Sequence, residues 1–207
     1  MGEEPDSRER IMEATHEALT RTGYADLTMS NIADASGTST ALLHYHYDTK
    51  EDLLVAFLDH LIEELEADLA DALDEEPSVG LRRIVDWYVL EDRDERQAFH
   101  VALLELRSQA PYNERYRERL QRADGLIRRA VADIVANGMQ PEAAERTDPE
   151  AVAALILATM HGARSRGLTI GEPAYTSAVR ATLLEHVLVD LFGPEIRDRW
   201  DEIEPAP

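Results

Sequence analysis

Apolar residues recur at intervals of three and four along almost the whole chain, which is the spacing that places them on one face of an α-helix. No stretch alternates apolar and polar positions over several residues, as a half-buried β-strand would. Capping residues at the start of each segment, and Gly or Pro at its end, divide the pattern into separate helices. The sequence therefore predicts an all-α fold of about nine helices, over residues 7–23, 28–36, 40–47, 50–76, 79–90, 95–109, 111–137, 150–166 and 173–192.

Composition narrows the class of protein. The mean hydropathy of −0.37 and the hydrophobic fraction of 44% favour a folded, soluble domain. The chain contains no cysteine, which excludes a disulfide framework, a thiol nucleophile and cysteine-ligated metals. No apolar run approaches the roughly 18 residues of a membrane span, and the N-terminus is acidic, unlike a secretory signal. We expect a cytoplasmic protein with no membrane partner.

The charge balance is strongly acidic. There are 42 acidic and 21 basic residues, giving a net charge of −21, and Lys50 is the only lysine. An acidic surface that is nearly free of lysine suits a salt-rich cytoplasm, where self-repulsion is screened. We infer a halophilic source; a mesophile of high genomic GC content, which also favours Arg over Lys, is the alternative.

A candidate DNA-binding motif lies between residues 28 and 47. A short helix that Thr28 can cap is followed by the turn Ala35-Ser36-Gly37-Thr38 and by a second helix that Ser39 can cap. This is the spacing of a helix-turn-helix, in which the second helix enters the major groove. An ordinary helical hairpin would show the same spacing.

The residues around this motif resemble the N-terminal region of the TetR family of transcriptional regulators. The resemblance rests on residues 33–39 (ADASGTS), 42–54 (LLHYHYDTKEDLL), 21–24 (RTGY) and 27–29 (LTM), and it extends over about residues 8–58. It implies a three-helix DNA-binding domain over residues 1–48 and a helical ligand-binding and dimerisation domain over 49–193. Residues 194–207 are predicted to be an acidic tail. The segment 148–164 resembles the subgroup with a BetI-like C-terminal region.

Candidate DNA contacts follow from position and chemistry. Helix caps can place N–H groups and a hydroxyl against phosphates, and small or apolar side chains can contact thymine methyl groups. The resemblance implies phosphate contacts for Tyr45, His46 and Lys50. The predicted DNA-binding residues are Thr28, Ser39, Thr40, Ala41, Leu42, His44, Tyr45, His46 and Lys50, whereas Leu43 and Tyr47 are predicted to be core residues.

A dimer interface is predicted on the last two long helices. The segment 150–166 is apolar on most sides and carries small residues, so it needs cover on two faces. The resemblance implies that a second copy provides part of that cover, although a chain of this length could provide it internally. The predicted interface residues are Leu155, Ala158, Gly162, Leu184, Val187 and Leu188.

The resemblance also implies a pocket for a small-molecule effector within the helical domain. Aromatic residues with a few polar groups would suit an apolar ligand, although each of them could equally be a core residue. The predicted ligand-binding residues are Trp87, Tyr88, Phe99, His100, Leu103, Tyr112 and Tyr116, with Leu104 and Leu126 as further candidates.

The predicted function is therefore a DNA-binding transcriptional regulator, a repressor that binds a palindromic operator as a homodimer and is released by an unknown small-molecule effector. A helical small-molecule-binding protein or a protein–protein adaptor without DNA binding is the alternative. The sequence contains no nucleophile–base pairing, phosphate loop or metal-binding helix, so we predict no enzymatic activity, cofactor or metal. In particular, His44 and His46 are two residues apart and face opposite sides of a helix.

Overall fold

The computed structural model describes residues 7–88, 94–171, 173–194 and 196, with side chains left undescribed for Tyr88, Leu184 and residues 94–96, 173 and 174. Every regular element in these ranges is helical, which confirms the all-α class. In order, the elements are α1 (Ser7–Asp26), α2 (Met29–Ser36), α3 (Thr40–His46), α4 (Lys50–Asp74), α5 (Pro77–Tyr88), α6 (Asp94–Ser108), α7 (Glu114–Gly138), α8 (Pro141–Ala144), α9 (Pro149–Ile170), α10 (Pro173–Leu183), a π-helical segment (Leu184–Leu188) and α11 (Val189–Phe192).

The elements differ from the sequence prediction at several points, including the start of α5 at Pro77 and the end of α9 at Ile170. Helix α1 continues to Asp26, with Gly23 as a non-helical residue inside it. Helix α7 begins at Glu114 rather than at residue 111, because Asn113 Oδ1 accepts the main-chain N–H of Arg115 at 3.0 Å and so caps the helix there. Helix α8 is only four residues long, too short to show a periodic pattern, and the π-helical segment interrupts the last predicted helix.

The described residues form two compact units. The first contains the chain up to residue 64 together with residues 93–122, which brings α6 and the start of α7 into the same unit as α1, α2 and α3. Helix α1 packs on both α2 and α6. The core of this unit is formed by side chains that are at most 2% exposed, among them Leu19, Leu27, Ile32, Leu43, Leu53, Phe57 and Tyr116.

The second unit contains residues 65–92 and the chain from residue 123 onwards. Helix α9 packs along α10, and both belong to a core whose fully buried members include Leu81, Val85, Val131, Val135, Ala153, Met160 and Leu188. An ion pair is enclosed in this unit, because the Arg82 and Asp86 side chains are only 9% and 10% exposed. The predicted tail lies outside the described residues except for Pro194 and Ile196, and Ile196 is buried in this core.

The division between the two units falls within α4 and α7. The limits predicted at residues 48 and 193 divide the chain by function, into a DNA-binding domain, a ligand-binding and dimerisation domain and a tail. These functional limits stay predictions. No helix in the described ranges is long and apolar enough to cross a membrane.

Candidate DNA interface and effector region

Local capping fixes the start of α2 and the turn that leads from α2 to α3. Thr28 Oγ1 accepts the N–H of Asn31 at 3.2 Å, while Asn31 Oδ1 accepts the N–H of Thr28 at 2.9 Å. This reciprocal capping box fixes the start of α2. Helix α2 ends at Gly37, whose φ of 63° lies in the left-handed region that favours glycine. The helix-turn-helix geometry follows from these residues.

Helix α3 presents a mostly uncharged face. Ser39 Oγ accepts the N–H of Leu42 at 3.2 Å and caps the helix, and Leu43, at 0% exposure, anchors it in the core of the first unit. The cap predictions for Thr28 and Ser39 and the core prediction for Leu43 are thus confirmed. Around Leu43, α3 exposes Ala41, Leu42, His44, Tyr45 and His46, with Thr40 half-buried.

Exposure differs among these candidates. Tyr45 is 82% exposed, which suits a residue that reaches outward to a phosphate, whereas Leu42 is 36% exposed. Between residues 7 and 50 there are six acidic and four basic residues, so the helix-turn-helix carries no strong positive field. Recognition by this surface would depend on individual contacts more than on counterion release.

Lys50 lies in a cradle formed by the end of α1. Its Nζ donates to the carbonyl oxygen of Leu27 at 3.0 Å and to that of Tyr24 at 3.4 Å, and it lies 5.0 Å from the centroid of the Tyr24 ring. An ammonium group has three N–H donors, so a third can bind an external acceptor such as a phosphate oxygen. We call the two carbonyls and the ring the Lys50 cradle.

The start of α4 is also held by α7. Asp52 Oδ2 accepts from the hydroxyl of Thr49 at 2.6 Å, and Asp52 Oδ1 accepts from the guanidinium of Arg115 at 2.7 Å. These two hydrogen bonds, that of Thr49 first, hold the pKa of Asp52 below its usual value. Asn113 adds a bond from its amide to Glu51 at 2.8 Å. The first turn of α4, which contains Lys50, is therefore fixed on two sides.

The predicted ligand-binding residues fall in different parts of the fold. Trp87 lies in the second unit, 41% exposed, with the Arg164 guanidinium carbon 5.0 Å from its ring centroid. Phe99 lies in the first unit, where its ring centroid is 4.0 Å from that of His16 and 6.3 Å from that of Phe57. The side chain of Tyr88 lies outside the described residues.

The remaining ligand candidates belong to the first unit. His100 is buried and Leu103 is half-buried. Tyr116 is 2% exposed in the core of this unit, and its burial raises the pKa of its hydroxyl far above the usual range. Tyr112 is 89% exposed in the turn before α7, a position that does not suit an enclosed pocket. No described cavity brings these predicted residues together.

A groove of about 260 Å³ does occur in the second unit, between the later parts of α4 and α7. Leu126, a further candidate from the sequence, contributes to its lining. The sequence did not predict the other residues that line this groove, because the leucines of α4 have the same spacing as core positions. The full lining is Glu66, Leu69, Ala70, Leu73, Leu126, Arg129, Ala130 and Asp133.

Helix α9 has one exposed face of small residues and a single leucine. Leu155 is 54% exposed, and Ala151, Ala154, Ala158 and Gly162 are exposed beside it. We call these five residues the α9 exposed face. The opposite side of the helix is buried in the second unit.

The other predicted interface residues are placed differently. Leu188 is fully buried within its own chain, because the π-helical segment that contains it packs into the core; it is not available to a partner. Val187 is half-buried, and the side chain of Leu184 lies outside the described residues. Within the described part of the chain, no three His, Asp or Glu side chains come together as a metal site would require.

An exposed second helix behind a capped turn is the geometry of helix-turn-helix DNA-binding proteins. Comparison with known proteins agrees. Residues 11–57 match the family model of bacterial regulatory proteins of the tetR family, and residues 77–191 match that of the BetI-type transcriptional repressor C-terminal region. The chain belongs to the TetR family of transcriptional regulators.

Individual relatives support this membership. The regulator BetI of Brucella anthropi is 34% identical over 73 residues, and that of Ectopseudomonas mendocina is 33% identical over 90 residues. These alignments span 35% and 42% of this chain and only 38% and 46% of those relatives. A crystal structure of a TetR regulator from Haloarcula marismortui is 35% identical, with a TM-score of 0.74, covering 94% of this chain and 97% of that one.

Proposed function

We propose that the protein represses transcription by binding a palindromic operator as a homodimer, and that a small-molecule effector releases it. The observation that carries the proposal is the geometry of α2 and α3, in which the buried Leu43 holds the helix and the predicted contacts lie at the surface. The proposed contacts remain Thr28, Ser39, Thr40, Ala41, Leu42, His44, Tyr45, His46 and Lys50.

Dimerisation is proposed through the α9 exposed face. A chain with this much surface charge would not be expected to expose five uncharged residues in one stripe unless something covers them. Leu155, Ala158 and Gly162 remain the proposed contacts. Two copies related by a two-fold axis would present two α3 helices to half-sites about one DNA turn apart, or a multiple of it.

The effector is proposed to bind in the helical region outside the helix-turn-helix. Structures with the same fold include a regulator from Saccharomonospora viridis in complex with choline and FadR from Bacillus subtilis in complex with stearoyl-CoA, at 20% and 19% identity. Those identities support the fold alone. Trp87 on α5, and His100 and Leu103 on α6, are the described candidates that we retain for separate mutation.

A halophilic source is proposed from the net charge of −21 and from the similarity to the Haloarcula marismortui protein. We also propose a cytoplasmic location, because a regulator that binds chromosomal DNA must be in the compartment that holds it. Binding experiments on this chain should therefore include a high concentration of KCl.

The decisive experiment measures, by fluorescence anisotropy, the affinity of the protein for duplexes from the region upstream of its own gene. A shuffled duplex of equal length is the control. We expect saturable binding to one palindromic segment and no comparable binding to the shuffled sequence. Equal affinity for both duplexes would favour the alternative of a helical ligand-binding protein or adaptor. Thermal-shift screening with choline and an acyl-CoA would then test for effector binding separately.

A further inference from the structure

One main-chain segment joins α6 to the only lysine of the chain. Tyr24 donates its main-chain N–H to Glu105 Oε2 on α6 at 2.8 Å, and its carbonyl oxygen accepts from Lys50 Nζ at 3.4 Å. The ring of the same tyrosine lies 5.0 Å from that ammonium nitrogen. Glu105 therefore binds the main-chain N–H of Tyr24, while the carbonyl oxygen and the ring of the same Tyr24 hold Lys50.

The N–H of Tyr24 reaches Glu105 because of the preceding residue. Gly23 adopts φ 72° and ψ 174°, which turns the chain out of helical geometry at this position. A Cβ at residue 23 would lie 3.1 Å from Glu105 Oε2, so the carboxylate packs directly against the glycine. The backbone conformation favours glycine here, and any larger side chain would also have to displace the carboxylate of Glu105.

Lys50 needs this support because of where it lies. It is in the first turn of α4, and the N-terminal end of a helix is unfavourable for a cation. The carbonyls of Tyr24 and Leu27 offset that cost, and they also fix the direction of the ammonium. With six acidic and four basic residues in the segment 7–50, the position of this one cation has a large effect on the interface.

We propose that Glu105 is a positioning residue for DNA binding: through Tyr24 it holds the Lys50 cradle in place, so that Lys50 meets a DNA phosphate at a fixed position. This proposal rests on the proposed DNA-binding function. Glu105 itself does not touch DNA; it acts through the main chain of residues 23–27. A carboxylate on α6 thereby controls a contact made from α4.

The first test observes Lys50 directly and needs no DNA. Because the chain has a single lysine, ¹⁵N-lysine labelling gives one side-chain ammonium signal in an NMR spectrum. We expect E105A to shift this signal and to speed its hydrogen exchange, since the cradle is no longer held. E105Q should retain the wild-type signal, because its amide oxygen still accepts the N–H of Tyr24. E63A, which removes an exposed carboxylate from α4, is the charge-matched control and should also leave the signal unchanged.

The second test measures operator affinity as a function of salt. Each phosphate contact contributes about −0.9 to the slope of log K against log salt concentration, so the loss of one contact makes the slope less negative by that amount. We expect K50A and E105A to change the slope equally and to weaken binding by about tenfold. The double variant should be no weaker than K50A alone, because both substitutions remove the same contact.

Several outcomes would overturn the proposal. An unchanged Lys50 signal in E105A would show that Glu105 does not hold the cradle. Additive losses in the double variant would show that Glu105 only supports the packing of α1 on α6. If E105A loses helix content, E105D, which keeps the charge but is one methylene shorter, replaces it with the same expectations. If the wild-type chain binds no duplex, the proposed function fails, while the NMR result still decides whether Glu105 positions Lys50.

Discussion

Arg180 on α10 and Asp86 on α5 form an ion pair, with Nε of the arginine 2.6 Å from Oδ1 of the carboxylate. The other oxygen of Asp86 accepts from Nε of Arg82 at 2.9 Å. Both arginines therefore share one carboxylate whose side chain is only 10% exposed. Such an arrangement ties α5 and α10 of the second unit together through charge, in addition to the apolar core to which both helices contribute.

We expect Asp86→Ala to lower the free energy of unfolding by about 3–5 kcal/mol, because removing one partner leaves buried positive charge without its carboxylate. Urea unfolding followed by circular dichroism measures this loss. Asp71→Ala is the matched control: its carboxylate is 70% exposed and 3.9 Å from Arg83, and we expect a change within about 0.5 kcal/mol. Equal effects of the two substitutions would show that the buried pair has no special role.

Gly162→Arg tests the proposed dimer interface without disturbing the monomer. No described atom lies within 4 Å of a Cβ added at Gly162, so a single chain can accommodate a side chain there. We expect a monomer of unchanged helix content that has lost operator binding, as measured by light scattering and anisotropy. Leu73→Glu changes another exposed leucine, 42% accessible and outside the α9 exposed face, and should leave the dimer intact. A dimeric Gly162→Arg protein would place the interface elsewhere.

Residues of α3 should separate into those that select a sequence and those that fix position. We expect Thr40→Ala and Leu42→Ala to change the preferred bases, at roughly 1–3 kcal/mol where a direct base contact is lost. Tyr45→Ala should weaken binding to all duplexes by a similar factor, since phosphate contacts carry no sequence information. Selection from a randomised duplex library distinguishes these effects. An unchanged selected sequence for both Thr40→Ala and Leu42→Ala would remove these residues from base recognition.

Acid should weaken the anchoring of α4 through Asp52. Its pKa is lowered in the folded protein by the hydrogen bonds from Thr49 and Arg115, relative to an ordinary value of 3.8. Stability from this group is therefore complete above that ordinary value and is lost as the pH falls through the lowered one. Asp52→Asn cannot titrate, so we expect its melting temperature to fall less between about pH 5 and about pH 2 than that of the wild type. Parallel acid profiles of the two proteins would contradict this assignment.

Salt should stabilise the fold. Two copies in a dimer double the net charge of −21, and these charges repel over roughly 30 Å at about 0.01 M salt but over only about 3 Å at about 1 M. We expect helix content and melting temperature to rise with KCl, and operator binding to require high salt. A chain that is equally stable at both extremes, with affinity that falls steeply as KCl rises, would contradict the halophilic inference and leave the family membership unaffected.

Local features of the fold could be predicted from the sequence, whereas contacts between distant residues could not. Thr28 and Ser39 cap helices through partners three residues away, so their identity and position are sufficient evidence. The sequence predicts that the first helix ends at Gly23, whereas α1 continues past this non-helical residue to Asp26, and Tyr24 within it donates to Glu105, 81 residues further along the chain. Spacing along the sequence contains no information about such a partner.

Core and pocket residues are likewise indistinguishable by pattern. Tyr116 and Phe99 have the aromatic character expected of a ligand site, yet both pack within the first unit. Leu188 has the spacing of an interface residue, and the π-helical segment instead turns it into the core. In each case the deciding factor is which helices pack together, which depends on the whole chain.

The arginines of α7 are largely committed to carboxylates within the fold. Arg115 pairs with Asp52 and Arg119 with Asp59, at 2.7 and 3.2 Å, and Arg128 faces Glu150. A regulator that slides along chromosomal DNA does so on a loose, sequence-independent attraction between cations and phosphates. With these arginines paired within the fold and a net charge of −21, we expect this protein to spend little time on random DNA. We therefore expect it to find its operator by repeated collisions from solution, and its search to be hardly slowed by the large excess of unrelated genomic sequence.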